Sequence, residues 1–161
     1  METDIEILKI LENDARIDVK EIAAMLDMNE SDVKRRIKDL EKRGVIRKFK
    51  TSIDWKKVGI RHVTAIIRVK VIPQESAGFS KVSIDISNDP KVKDAFVATG
   101  EYDLVLLVEG RDIDEISEFI TEKLAPKKEV VGTYTHIVLS EYKRDGVISH
   151  DEDTKRLKVS L

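Results

Sequence analysis

The hydrophobic pattern of this chain changes period near residue 63, and no single type of element serves both sides of the change. Upstream, apolar residues recur every three or four positions. From Val63 they recur every second position, with Val63, Ala65, Ile67, Val69 and Val71 alternating with His62, Thr64, Arg68 and Lys70. The first spacing belongs to amphipathic helices and the second to a strand with one buried face. With 161 residues, the chain is long enough for two small domains, each burying a core.

The helical part comes first. Ile5, Leu8, Ile10 and Leu11 predict a helix from Thr3, read as its N-cap, to about Asn13. Asp18 precedes a second short helix marked by Val19, Ile22, Ala23 and Leu26. Only the sequence DMN separates it from a third, in which Asn29 is the expected N-cap and Asp32 stands at the capping-box position. Two short helices joined by a three-residue turn outline a helix-turn-helix. Gly44 supplies a C-terminal stop, and VIRKFKTSI follows as an expected extended segment, a candidate wing.

Charge is distributed unevenly over these elements. The formal net charge is only -2, yet residues 1–33 hold three cations against ten anions and residues 34–57 hold eleven against three. Association with phosphates follows the local charge, so the second block suits nucleic acid although the chain is slightly acidic. On the third helix Val33, Ile37 and Leu40 share the core-facing side, while Lys34, Arg35, Lys38 and Lys42 gather opposite. Arg36 lies near the apolar edge, where packing or an ion pair is expected before a base contact. The bland alternative is a solvated helix face. The turn before the helix and the basic segment after it favour DNA. Asn29, Ser31, Lys34 and Arg35 are placed to read bases, Lys38, Lys42, Lys48 and Lys50 to meet the backbone, and Arg47 adds to the DNA-binding charge along the segment after Gly44.

TSIDWKKVGI leads onward, with Trp55 read as a hydrophobic anchor between domains. After the strand from Val63, which Pro73 ends, Ser76 to Ser87 predicts a helix with Phe79, Val82 and Ile86 on one face. VKDAFVAT predicts a second strand, DLVLLVEG a third, Ile113, Ile116 and Ile120 a second helix, and VVGTYTHIVLSEY a fourth strand. The order β-α-β-β-α-β is the ferredoxin-like pattern, with both helices on one sheet face. The other face carries apolar residues that a second copy of the chain would cover, giving two helix-turn-helix modules for two DNA half-sites. The expected fold class is therefore α+β. A winged helix-turn-helix domain spans 1–50, a linker 51–61, a ferredoxin-like oligomerisation and sensor domain 62–143, and a charged C-terminal tail 144–161.

Other classes are disfavoured. No apolar run approaches the ~20 residues of a spanning helix, and METDIEILKI lacks the order of a signal peptide, so the chain reads as cytoplasmic. It has no cysteine, no phosphate-binding glycine loop and no pair of histidines at metal spacing; His62, His136 and His150 are scattered. No catalytic residue, metal or cofactor is expected.

DIEILKILENDAR, LDMNESDVKRRIKDLEKRGVI and IRKFKTSIDWKKVGI, followed by DPKV, TGEYD and GTYTHIVL, resemble in order and spacing the Lrp/AsnC family, the leucine-responsive or feast/famine regulators. The resemblance runs from about Asp4 to Lys143. It implies a transcriptional regulator that assembles as homodimers and often as octamers or other multiples of dimers. It also implies an effector, commonly an amino acid, in clefts where dimers meet. The family's effector positions fall on Gly100, Tyr102 and Asp103 in TGEYD and on Thr133 and Thr135 in GTYT. Where the family usually has Leu-Pro-Gly-Val before the last strand, this chain has KKEV at 127–130. Two alternatives are carried. One is a haem-biosynthesis decarboxylase on the same two-domain plan, using His136; the other is an amino-acid-sensing co-regulator with weak DNA binding.

Overall fold

The computed structural model describes residues 2–72 and 80–148, and the chain divides into two units between Ile53 and Asp54. The first contains α1 (Glu2–Asn13), α2 (Val19–Met25) and α3 (Glu30–Lys42). Their apolar faces meet in a core of Ile7, Leu11, Ile22, Ala23 and Val33. Here α1 differs from the sequence expectation. It starts at Glu2, so Thr3 lies inside the helix and is not its cap. Ile7 and Leu11, one turn apart, are the buried pair, whereas Ile5 is half exposed.

The caps of α2 and α3 explain the tight connections. Asp18 accepts a hydrogen bond from the Lys20 N–H at 3.1 Å and starts α2. Asp27, with φ +51, turns the chain before α3, and the Met28 N–H reaches back to the Ala23 carbonyl at 2.9 Å. α3 ends at Gly44, φ +68, where the N–H groups of Gly44 and Val45 donate to Glu41 and Leu40 carbonyls at 2.9 Å. That pair of bonds is a Schellman motif, whose left-handed residue favours glycine.

The expected wing strand is absent among the described residues: 47–54 carry no sheet pairing. Strand geometry requires a neighbouring strand for the backbone donors and acceptors, and this unit holds none. Helix α3 is otherwise as read, except that its N-cap Asn29 makes no side-chain cap bond and Asp32 pairs instead with Arg35 at 2.7 Å.

The second unit is built on a four-stranded antiparallel sheet of β1 (Val63–Val71), β2 (Val92–Val97), β3 (Leu104–Gly110) and β4 (Val130–Ile137), in the order β2-β3-β1-β4. Helices α4 (Ser80–Ser87) and α5 (Ile113–Glu118) follow β1 and β3, completing β-α-β-β-α-β. Pro73, Phe79 and the start expected for α4 lie outside the described residues. The core joins Ala65, Ile67, Val69 and Val71 of β1 to Leu104, Leu106 and Val108 of β3 and to Val82, Ile86, Ile116, Phe119 and Leu124 from the helices.

α5 departs from simple helical spacing. Ile113 is exposed, and beyond Glu118 the chain widens into a π-helical stretch, Phe119–Leu124, closed by the Ala125 N–H on the Ile120 carbonyl at 2.8 Å. The wider turn brings Phe119 and Leu124, five residues apart, both into the core. After β4 a small hairpin, β5 (Lys143–Arg144) with β6 (Val147–Ile148), folds back. Arg144 ties it to the sheet through Glu109 and Thr64, and also pairs with Glu141. The charged tail expected from residue 144 thus begins inside an ordered hairpin; His150 and the remainder of that tail lie outside the described residues. Trp55, in a 3₁₀ turn capped by Asp54, meets His62 edge to face at 6.1 Å within this same unit.

Candidate nucleic-acid interface and effector region

On α3, 100° per residue sets Lys34, Lys38, Ser31, Lys42 and Arg35 within about 100° of arc, with Val33, Ile37 and Leu40 roughly opposite. The burial agrees: Val33 and Leu40 are in the core, while Asn29, Ser31, Lys34, Arg35, Lys38 and Lys42 are exposed. The apolar side anchors the helix and the cationic side is left to solvent or phosphate. Because Asn29 makes no cap bond, its amide is not committed to the helix end. Arg35 is held beside Asp32 in a solvent-exposed pair, which contributes little by itself and which a better acceptor would displace.

Arg36 takes the ion-pair role expected of it, donating from Nη1 to Asp4 Oδ1 at 2.7 Å and so fastening α1 to α3. This hydrogen bond holds the Asp4 carboxyl below the usual carboxylate range. Arg47, Lys48 and Lys50 follow on the exposed segment after Gly44. They continue the positive charge beyond the helix, although without a strand to space them.

In the second unit the structure separates the five effector positions. Register sets Thr133 opposite Val69 and Thr135 opposite Ile67, so both threonines share the helix-covered side with those core residues. Tyr134 and His136, opposite Arg68 and Ile66, lie on the open face. Tyr102 joins that face, its ring 6.3 Å from Tyr134. Gly100 has φ +128, which by itself accounts for glycine in this turn.

Asp103 is tied into the scaffold. Its Oδ2 accepts the Val71 N–H at 3.0 Å and pairs with Lys70 Nζ at 3.3 Å, and its own N–H donates to the Val69 carbonyl at 3.1 Å. The Val71 hydrogen bond foremost, with Lys70, keeps this carboxyl below its ordinary range. The sequence reading did not single out Arg68 as a site residue. Its guanidinium lies over both Tyr102 and Tyr134 and contacts His136. Only the register of β1 and β4 brings these groups together. The KKEV segment contributes Lys127, paired with Asp85 beside a shallow pocket of about 320 Å³. Among the described residues no cluster of His, Cys, Asp or Glu is arranged to hold a metal, and no helix is long and apolar enough to cross a membrane.

A helix-turn-helix with an exposed cationic third helix, joined to a βαββαβ unit with one open sheet face, defines a two-domain DNA-binding regulator. The sequence matches the Lrp/AsnC ligand binding domain over residues 64–148 and a winged helix-turn-helix DNA-binding domain over residues 2–47. It is 38% identical to the uncharacterized HTH-type transcriptional regulator YugG of Bacillus subtilis, covering 99% of this chain and 97% of that one. It is 32% identical to the HTH-type transcriptional regulator FL11 of Pyrococcus horikoshii, covering 88% and 91%. Its fold resembles the transcriptional regulator NMB0573 of Neisseria meningitidis, solved as an L-Met complex, with TM-score 0.70, 27% identity and coverage of 89% and 92%.

The chain belongs to the Lrp/AsnC family and is a DNA-binding transcriptional regulator. The family and these relatives are regulators and not enzymes, so the decarboxylase alternative has no support.

Proposed function

We propose that this regulator reads DNA with the first turns of α3 and responds to a small amino-acid effector. The observation that carries the first half is the division of α3 into a buried apolar arc and an exposed arc bearing Ser31, Lys34, Arg35, Lys38 and Lys42. In this reading Asn29, Ser31, Lys34 and Arg35 meet base edges in a major groove, and Lys38, Lys42, Arg47, Lys48 and Lys50 meet phosphates. Two copies associate through the open sheet face, where Ile66, Phe96 and Tyr134 leave apolar surface in water. A symmetric pair then presents two α3 helices to two half-sites, and pairs assemble further into octamers or other multiples. Such a regulator works in the cytoplasm, where its DNA is.

The L-Met complex of NMB0573 supports an amino acid as effector, bound near Gly100, Tyr102 and Asp103; Thr133 and Thr135, on the helix-covered side of the edge strand β4, would meet only a ligand that wraps that edge. Because Asp103 already serves Lys70 and Val71, its main part there is to set the shape of the turn. Selection of bound sequences from random DNA, repeated with each amino acid in turn, tests the whole reading. Enrichment of a two-fold-symmetric motif, with one amino acid altering its retention, is the expected result. Retention that shows no sequence preference at moderate salt would favour a co-regulator with weak DNA binding.

A further inference from the structure

The cationic side of α3 is narrow and bounded by acids. At about 100° per residue, Glu30 and Glu41 fall just outside one edge of the arc that holds Ser31, Lys34, Arg35, Lys38 and Lys42. Asp32 and Asp39 fall just outside the other edge, and no acid of the helix falls within the arc. The helix ESDVKRRIKDLEK holds five cations and four anions, so its attraction for DNA depends on how these charges are arranged, not on their sum. Both acids of the second edge are paired with an arginine. Arg35 Nη2 lies 2.7 Å from Asp32 Oδ1, and Arg43 Nη1 donates to Asp39 Oδ2 at 3.1 Å.

Only the first pair includes a side chain assigned to base edges. The Arg35 and Asp32 side chains are 73% and 40% exposed, so their pairing adds little to the stability of the fold. Its consequence lies in the arginine itself. A free arginine on a helix surface samples many rotamers, and fixing it on a base costs that freedom. The contact with Asp32 runs through Nη2, and a guanidinium carries five donors, so N–H groups remain for the O6 and N7 of a guanine. A phosphate is different. Drawing Arg35 outward to the backbone takes it from Asp32 and leaves an unpaired carboxylate close to a polyanion. The same contact therefore favours a base and disfavours the backbone.

We propose that Asp32 is a positioning residue that aims Arg35 at a guanine, and so sets sequence specificity without touching a base. The proposal rests on the reading of Arg35 as a base contact and deepens it by naming the base and the group that orients the side chain.

The test uses the full chain as wild type, Arg35→Ala, Asp32→Asn, Asp32→Glu and Asp39→Asn. Each is put through selection from random DNA, and its affinity for the selected site and for random DNA is then measured. Arg35→Ala should lose preference at one position of the motif, a guanine in the wild-type selection. Asp32→Asn should lose about tenfold of discrimination at that same position and none elsewhere, while holding random DNA at least as tightly as the wild type. Asp32→Glu keeps a carboxylate three positions before Arg35 and should retain most of the preference. Asp39→Asn removes the same charge from the same edge of the helix and should leave every position unchanged, which separates aiming from general electrostatics. Urea denaturation checks that each variant is folded, and Asp32→Ser repeats the measurement if Asp32→Asn is not. An unchanged preference in the folded Asp32 variant, a loss spread over all positions, or a base other than guanine at the Arg35-dependent position would overturn the proposal and leave the reading by α3 intact. Equal losses of Arg35→Ala on selected and random DNA would overturn the base contact and the proposal together.

Discussion

The two units solve opposite surface problems. In the first, three short helices bury Ile7, Leu11, Ile22, Ala23 and Val33 and turn charge outward. In the second, a sheet buries one face under two helices and leaves Ile66, Phe96 and Tyr134 exposed on the other. A charged outer face seeks a polyanion and stays soluble without one, whereas an apolar outer face is stable only when covered. The contrast assigns DNA binding to the first unit and leaves the proposed pairing of copies to the second. It also places the ion pairs differently: Asp4–Arg36 braces a small core from outside, while Asp103 and Arg144 pin a turn and a hairpin to a larger one.

The strongest way to break this comparison is to empty one core and watch the other. Ile67→Ala should destabilise the second unit by about 2–5 kcal/mol and leave amide exchange within 2–46 unchanged. Ile22→Ala should do the reverse and abolish DNA binding. Hydrogen exchange read by mass spectrometry checks both, and matched losses in the two units would show that their cores act as one.

Next in size is the division of labour on α3. Arg35→Ala should cost about 1–3 kcal/mol on a selected site and much less on random DNA. Lys42→Ala should weaken both DNAs alike and reduce the salt slope by about 1. Fluorescence anisotropy across a salt series separates the two, and equal losses on both DNAs for Arg35→Ala would remove it from the reading set.

A smaller effect belongs to Gly44. A Cβ there meets no atom within 4 Å, so Gly44→Ala tests backbone conformation alone. With φ +68 the substitution should cost about 1–2 kcal/mol, measured by urea denaturation, and the loss should be confined to the first unit. The smallest expected effect concerns pH. Asp4 is held below the usual carboxylate range by Arg36, so the pair stabilises the first unit above that range and ceases to do so as pH falls through the depressed value. Asp4→Asn should therefore lower thermal stability at neutral pH and flatten its decline on acidification below about pH 4. An unaltered acid limb would show that Asp4 contributes nothing to it.

How far these features could be read in advance depended on how local their causes are. The α2 cap at Asp18, the turn at 27–29 and the glycine stop at Gly44 each need only neighbouring residues, and all were legible. The alternation of β1 was equally plain because its two faces differ sharply in polarity. β4 was not: Val131, Thr133, Thr135 and Ile137 read much like Val130, Gly132, Tyr134 and His136, so neither set declared its side. Pairing with β1 put Thr133 and Thr135 toward the helices and Tyr134 beside Arg68. Similarly, the extended basic segment VIRKFKTSI after Gly44 suggested a wing, but a strand also needs a partner that this unit lacks among the described residues.

The sequence by itself therefore determined the kinds of element, their order and the cationic side of α3, because periodicity and capping act within a few residues of one chain segment. Only the tertiary structure decided which side of the sheet each β4 residue occupies, the π-helical widening after Glu118, the clamp of Arg144 on Glu109 and the meeting of Arg68 with two tyrosines. Those outcomes depend on register and on contacts between residues far apart in sequence, where small differences in packing energy choose among arrangements that local pattern leaves equivalent.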